Sequence, residues 1–236
     1  MFRILLVFLL SISLAHAAET DKTADTIKDT LQKNYAQLIG SVNQVNKSPI
    51  SGLYEVITED HIFYTDKTAQ YLIDGSMYDM IGRHNLTEAR ARVLFAVDFS
   101  KLPLELAVKK VKGNGSRKMA YFADPNCGFC KKLEHELQSV DNVTLYLFLY
   151  PIFNGSAEKA QSIWCSNDRA KAWDNLMLNG VQPAAAKCDN PIAQVMALGK
   201  KLKVNGTPAL IFANGVINPG YMPAADLNKA LDTNNK

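Results

Sequence analysis

The chain is poor in cysteine, with four residues in 236, and its excess of positive charge is only +3. Four cysteines cannot be the whole scaffold of a chain this long, so a hydrophobic core must exist and the cysteines act locally. A net charge this small, with no long basic run, argues against nucleic acid as a partner. After the first residues no apolar run approaches the roughly 20 residues that a membrane span needs. An integral membrane protein is therefore not expected. Metal-ligand patterns are scarce as well: there is a single Cys-x-x-Cys, and His135 is the lone histidine of the second half. What remains is ordinary globular composition, 47% hydrophobic and 21% charged. That suffices for one large domain or two small ones.

The exception lies at the very start. MFRILLVFLLSISLAHA opens with one basic residue, Arg3, runs apolar from Ile4 to Leu14, and ends in Ala15-His16-Ala17. This is the order of a secretory signal peptide over residues 1–17, cut after Ala17. The rival, a membrane anchor, needs a longer run. An exported chain reaches an oxidising compartment, where Cys127, Cys130, Cys165 and Cys188 favour disulfides over metal sites. Four cysteines allow three pairings.

The two halves of the mature chain differ in character. Residues 21–39 place Ile27, Leu31, Tyr35 and Leu38 at helical spacing. Pro49 and Gly52 then break the chain. The segments 53–58, 61–64 and 70–73 come next, β-rich and separated by polar turns, which predicts a small antiparallel meander. Through Met80 this half holds too few apolar residues for a comfortable core and has no cysteine to staple it, so pairing with a second copy is expected. Residues 87–99 read as a helix with Thr87 as N-cap, closed by Pro103, and form a helical linker. The basic stretch 109–118 reads as a solvated turn between strands. The second half then alternates: strand 118–123, helix 128–140, strand 143–150, helix 157–178, helix 192–202, and strand 209–212. An Asn214-Gly215 turn of type I′ and a helix over 223–231 end the chain. Such alternation describes an α/β sandwich.

Cys127 falls at a strand-to-helix turn, in FADPNCGFCKKLEHEL. A helix N-terminus offers unpaired N–H groups and the positive end of the dipole, and both favour a thiolate. Cys-x-x-Cys spacing supplies a second sulfur and lowers the pKa further. Lys131 and Lys132 add exposed positive charge. Cys130, one turn in, should be more buried. The pair reads as an attacking Cys127 and a resolving Cys130. Zinc would need a second ligand pair at motif spacing, and neither Cys165 with Cys188 nor His135 provides one. A plain staple across so short a loop gains little entropy. His135 as the base of a Cys-His hydrolase has no partner histidine in this half. A bridge between Cys165 and Cys188 would close a loop of about two dozen residues, worth roughly 3 kcal/mol. It reads as structural, with a second redox pair as the rival. Finally, Thr207-Pro208 sits just before a strand, where a cis peptide is tolerated and the Thr207 backbone could pair with an extended peptide.

Together these features resemble the DsbC family of periplasmic protein disulfide isomerases. The likeness rests on Cys127-Gly128-Phe129-Cys130 after a strand, Ile163-Trp164-Cys165, Cys188, Gly206-Thr207-Pro208-Ala209 and Pro219-Gly220-Tyr221. In the first half it rests on Tyr71-Leu72-Ile73 running into Gly75-Ser76-Met77-Tyr78-Asp79. The resemblance implies an α+β amino-terminal dimerisation domain over 18–82, a helical linker over 83–104, and a thioredoxin-like α/β domain with a helical insertion over 105–236. It implies Cys127 as nucleophile, Cys130 as resolving cysteine, Pro208 as cis-proline after Thr207, and a structural Cys165–Cys188 disulfide. No cofactor is implied beyond the redox-active Cys127–Cys130 pair, and no metal. The implied partners are a second copy of the chain, misfolded disulfide-containing periplasmic proteins held in an apolar cleft, and an inner-membrane thiol reductase of DsbD type. Two positions depart from the family's habit: Phe129 stands where tyrosine is usual, and Lys131 where histidine is common. The rival functions are a thiol oxidase, a dedicated thiol reductase, a chaperone-type binding protein and a metal carrier.

Overall fold

The structure, a computed structural model, describes residues 22–234. The expected signal peptide over residues 1–17 lies outside them. The chain divides into two compact units between Thr87 and Glu88.

In the first unit, helix α1 (Lys22–Ile39) packs on a four-stranded antiparallel sheet. Its strands run in the order β1 (Gln44–Lys47), β2 (Leu53–Ile57), β3 (Ile62–Asp66) and β4 (Leu72–Ile73). Ile27 and Leu31, one turn apart, are buried with Ile39, Val42, Val45, Val56 and Ala69. Tyr35 and Leu38, expected on the same face, are instead exposed. The buried side resumes at Ile39, the last helical residue, where Gly40 (φ 78°) turns the chain into Val42. Strand β1 was not legible in the sequence, because QVNK is mostly polar and buries only Val45. Next comes a short ribbon, β5 (Tyr78–Asp79) with β6 (His84–Asn85). At its tip Met80 and Ile81 are 82% and 97% exposed.

Helix α2 (Leu86–Leu94) corrects the linker expectation in two ways. Thr87 is inside the helix rather than capping it. Its Oγ1 accepts the Met77 N–H at 2.8 Å and meets the Tyr64 hydroxyl at 2.6 Å. The helix also stops five residues short of Phe99. Asp98 caps a separate 3-10 turn, Phe99–Lys101, by accepting the Ser100 N–H. Val97 donates its N–H to the Gly215 carbonyl and so is not helical.

The second unit is built on a five-stranded sheet. Its elements are β7 (Val108–Lys112), β8 (Arg117–Ala123), α3 (Gly128–Leu137), β9 (Val143–Leu149), α4 (Ser156–Trp164), α5 (Arg169–Asn179), α6 (Ile192–Lys201), β10 (Ala209–Phe212), β11 (Ile217–Pro219) and α7 (Ala224–Thr233). The strand order is β11-β10-β8-β9-β7. Only β8 and β9 run parallel, joined by α3; the other pairs are antiparallel. Alternation along the strands splits the core in two. Met119, Tyr121, Leu145, Leu147 and Leu210 face α3, α5 and α7. Ala120, Phe122, Phe148 and Ile211 face Val195 of α6 and the 3-10 stretch at Phe99. Phe122 and Phe148 are register partners and stack at 4.9 Å. With both faces covered, β8 and β9 are continuous apolar runs.

Two further expectations change here. The single helix expected over 157–178 is two helices. Cys165 ends α4, and Asp168 caps α5 by accepting the Lys171 N–H at 2.9 Å, so the chain turns between them. The Asn214-Gly215 turn is not of type I′, which needs two left-handed residues. Only Gly215 is left-handed, with φ 85°. Phe212 and Val216 flank a longer loop, in which Gly215 donates to the Phe212 carbonyl. A Cβ on Gly215 would lie 1.7 Å from the Val97 carbonyl oxygen, so that backbone contact requires glycine.

Candidate active site

Strand β8 ends at Ala123, and Asp124 organises the turn into α3. Its carboxylate is completely buried. It accepts from the Asn126 N–H at 2.6 Å, the Ile152 N–H at 2.7 Å, the Phe153 N–H at 2.9 Å and the Ser156 hydroxyl at 2.6 Å. A buried carboxylate is tolerable when its oxygens are satisfied in this way. The four bonds fix the β8–α3 turn to the loop after β9. A further bond from the Asn126 amide to the Asn154 carbonyl, 2.9 Å, closes the same junction.

The turn delivers Cys127 as the N-cap of α3. Its sulfur accepts the Cys130 N–H at 3.2 Å and lies 3.3 Å from the Thr207 carbonyl. The Cys127 pKa falls from 9.0 to about 6. The chief cause is a hydrogen bond from the Cys130 side chain; Thr207 and the backbone amides of Cys130 and Phe129 add to it, against the effect of burial. Hydrogen bonds, rather than Lys131 and Lys132, therefore lead the shift. A thiol with this pKa is mostly thiolate at neutral pH. Cys130 goes the other way: burial first, then the neighbouring Cys127, raise its pKa far above the ordinary value. It is only 1% exposed. The arrangement thus offers one ionised sulfur and holds the second as a thiol beside it.

Thr207 and Pro208, joined by a cis peptide, face this pair at the start of β10. The Pro208 carbonyl accepts the Gly220 N–H at 2.7 Å. The Thr207 hydroxyl is buried without a hydrogen-bond partner among the described residues. Exposed apolar side chains stand on α3 and on the loop after β9, beside the exposed Asn126, Lys131 and Lys132. Phe129 is 58% exposed, with its ring 6.4 Å from that of Tyr221. Ile152 and Phe153, held by Asp124, are exposed on the neighbouring loop. Glu136 anchors Tyr221, accepting its hydroxyl at 2.7 Å and the Ala224 N–H at 2.9 Å. His135 lies exposed on α3.

Cys165 and Cys188 form a disulfide across 23 residues. With the bond from the Gln161 amide to the Ala186 carbonyl, 3.2 Å, it holds the irregular segment after α5 against α4. Beside it the Arg169 guanidinium lies 3.7 Å over the Trp164 ring. Among the described residues no three His, Cys, Asp or Glu side chains converge to hold a metal.

Sequence reasoning missed two buried acids, Asp124 and Glu134. The signal for Asp124 was an acid at the end of an apolar strand, two residues before a helix cap. For Glu134 it was an acid four residues after Cys130, on the apolar side of α3.

The comparisons with known proteins agree with this geometry. The family model described as the disulfide bond isomerase protein N-terminal domain matches residues 13–88, and the thioredoxin-like domain matches residues 104–235. The probable thiol:disulfide interchange protein DsbC of Bordetella parapertussis is 41% identical over 216 residues, covering 91% of this chain and 76% of its relative. The thiol:disulfide interchange protein DsbC of Escherichia coli K12 is 30% identical, covering 87% and 88%. A crystal structure of a disulfide interchange protein from Neisseria gonorrhoeae is 44% identical with a TM-score of 0.56, covering 57% of this chain and 99% of that one. On these grounds the chain belongs to the DsbC family of thiol:disulfide interchange proteins.

Proposed function

We propose that this thiol:disulfide interchange enzyme reshuffles wrong disulfides in exported proteins, with Cys127 as nucleophile and Cys130 as resolving cysteine. The observation that carries the assignment is the split between the two sulfurs: Cys127 drawn down to about 6, Cys130 pushed far up. The Cys127 thiolate attacks one sulfur of a client disulfide, the other client sulfur leaves with the bonding pair, and a mixed disulfide forms. A client thiolate then attacks the client sulfur of that link and releases Cys127 unchanged, which is isomerisation. When no client thiol arrives, Cys130 attacks Cys127 and frees the client reduced. The enzyme pair is then oxidised and needs a thiol donor, for which the proposal is an inner-membrane reductase of DsbD type. Thr207 and Pro208 bound the client-facing side, and Cys165–Cys188 serves structure.

The remaining parts of the proposal are location and assembly. The protein is exported to the periplasm through its first 17 residues. None of the described helices is long and apolar enough to cross a membrane. It works as a homodimer through the first unit. In support, β4 is an edge strand whose Leu72 and Ile73 are exposed together with Tyr71. The exposed Met80 and Ile81 favour a second, chaperone-like activity towards unfolded chains. The test is recovery of activity from a model protein carrying scrambled disulfides. Cys127→Ser should abolish recovery, and Cys130→Ser should retain part of it on reduced clients. Equal and complete loss in both would overturn the roles. Protection of unfolded chains should survive Cys127→Ala/Cys130→Ala.

A further inference from the structure

Apolar side chains flank Cys127 at one end of the sheet. Strands β8 and β9 end there and β10 starts there, with Ala209 paired to Phe122 on one side and to Pro219 of β11 on the other. Along the strand order, that end therefore carries Tyr221 beyond β11, Thr207-Pro208 before β10, Cys127 beyond β8, and Ile152-Phe153 beyond β9. A single exposed apolar side chain needs no explanation. Here, however, each flank is pinned by an acid. Asp124 Oδ2 accepts the Ile152 and Phe153 N–H groups. On the opposite flank Glu136 Oε1 accepts the Tyr221 hydroxyl at 2.7 Å.

Tyr221 is tied to the cis-proline as well. Gly220, just before it, is left-handed at φ 95° and donates its N–H to the Pro208 carbonyl at 2.7 Å. The Thr207 carbonyl, at the other side of the same cis peptide, lies 3.3 Å from the Cys127 sulfur. The segment that carries Tyr221 is thus held close to the reacting atom. Phe129, two residues after Cys127, completes this flank. Its exposed ring lies 6.4 Å from the Tyr221 ring, tilted by 39°. That separation is within the roughly 4.5–7 Å of aromatic pairs, so the two rings form one wall. The Lys132 ammonium stands 5.2 Å from the centre of the Phe129 ring.

We propose that Tyr221, with Phe129, is a specificity-determining residue of the exchange reaction: the two rings take an aromatic or large aliphatic side chain next to the client cysteine. The proposal rests on the reading of Cys127 as nucleophile. Glu136 is a positioning residue that acts through Tyr221. Two rings offer apolar area to a client side chain that leaves water as the client lies along Thr207. Lys132 disfavours a basic side chain at the same place. Holding the Tyr221 ring in place before the client arrives removes part of the ordering cost of binding. Glu136 also has a structural task, since Oε2 accepts the Ala224 N–H at 2.9 Å where Pro223 offers α7 no side-chain cap. That task uses one oxygen, and the other is given to Tyr221. The preference suits the reaction. Cysteine is among the most buried residue types, so its neighbours in a native core are apolar. A wrongly paired cysteine leaves those neighbours exposed, and the wall reads them beside the bond to be broken.

The test uses the full reduced protein and short synthetic peptides whose single cysteine is linked to thionitrobenzoate. The Cys127 thiolate bonds to the peptide sulfur, the disulfide breaks, and the coloured thionitrobenzoate leaves with the bonding pair. Three peptides differ only beside the cysteine: phenylalanine before it, phenylalanine after it, or serine at both places. The unaltered protein should react about tenfold faster with at least one phenylalanine peptide than with the serine peptide, the scale of half-burying one large apolar side chain. Tyr221→Ser should lose the gain at one of the two places and leave the serine-peptide rate and its pH midpoint unchanged. Tyr221→Phe should keep the gain, because it keeps the ring. Glu136→Ala should lower the gain about threefold, the scale of releasing one ordered side chain. Glu136→Gln, which retains an oxygen for the Tyr221 hydroxyl, should restore it. No gain in the unaltered protein, or a gain that survives Tyr221→Ser, would overturn the proposal. Equal slowing of all three peptides in Tyr221→Ser would reduce the residue to a structural role and also overturn it. Release that persists in Cys127→Ser would overturn the assignment of the nucleophile instead.

Discussion

Cys127 and Cys165 both stand at the end of a helix in the same unit, but at opposite ends. Cys127 precedes α3, where backbone N–H groups point at its sulfur and the dipole is positive. Cys165 follows α4, where carbonyls collect and the dipole is negative. The first position stabilises a thiolate, and its sulfur is free and drawn down to about 6. The second penalises a thiolate, and its sulfur is tied to Cys188. Two pairs of the same residue thus take different chemistry: at Cys127 the Cys130 side chain leads and the helix-start amides add to it, and at Cys165 the bond to Cys188 removes the thiol altogether. The nearby side-chain charges, Lys131 and Lys132, are secondary to that.

The comparison can be broken most severely at Cys127. Cys127→Ser should remove interchange activity altogether, measured on scrambled disulfides, while leaving the Cys165–Cys188 bond intact. Next in size is the other pair. Cys165→Ala/Cys188→Ala should lower unfolding free energy by roughly 3 kcal/mol in denaturant titration. The Cys127 thiolate should persist in that variant, since the disulfide's role is to hold chain rather than to tune the site. Asp124→Asn comes third. It turns one of the two acceptor oxygens into a donor against two of the four donors, and should cost about 2 kcal/mol and raise the Cys127 pKa by loosening the turn.

The pH dependence of the reduced form sharpens the same comparison. Cys127 is depressed from 9.0 to about 6. Between those values the unfolded chain binds a proton that the native one does not, so stability rises with pH. The gain is complete above the unfolded value and is lost as pH falls through about 6. Above pH 9.0 the raised Cys130 acts oppositely, because only the unfolded thiol then ionises. Thermal midpoints of the dithiol and disulfide forms, compared across this range, should show that difference. The smallest effect belongs to Lys131→Ala/Lys132→Ala, whose exposed charges are screened by salt. Thiolate titration should barely move.

Legibility followed locality. The β8–α3–β9 unit could be read because two apolar runs bracket Pro125-Asn126-Cys127 and the helix after it. The break between α4 and α5 could have been read from Ser166-Asn167-Asp168, a cap-forming triplet, but the apolar spacing continued across it. Asn214-Gly215 suits more than one hairpin loop, and the approach of the Val97 backbone, over a hundred residues away in sequence, selects the longer one. Asp124 and Glu134 carried only a faint local signal for the same reason. Their burial depends on partners such as Ser156, Lys110 and Trp173, which no local pattern brings together.

The central claim is that the start of α3 holds Cys127 ionised and Cys130 protonated. It is tested most directly by the alkylation rate of each cysteine against pH, read by mass spectrometry of the reduced protein. The account predicts a single reactive thiol, Cys127, with a midpoint near 6 and Cys130 inert across the same range. A midpoint near the ordinary value of about 8.5, or comparable reactivity at both positions, would contradict it.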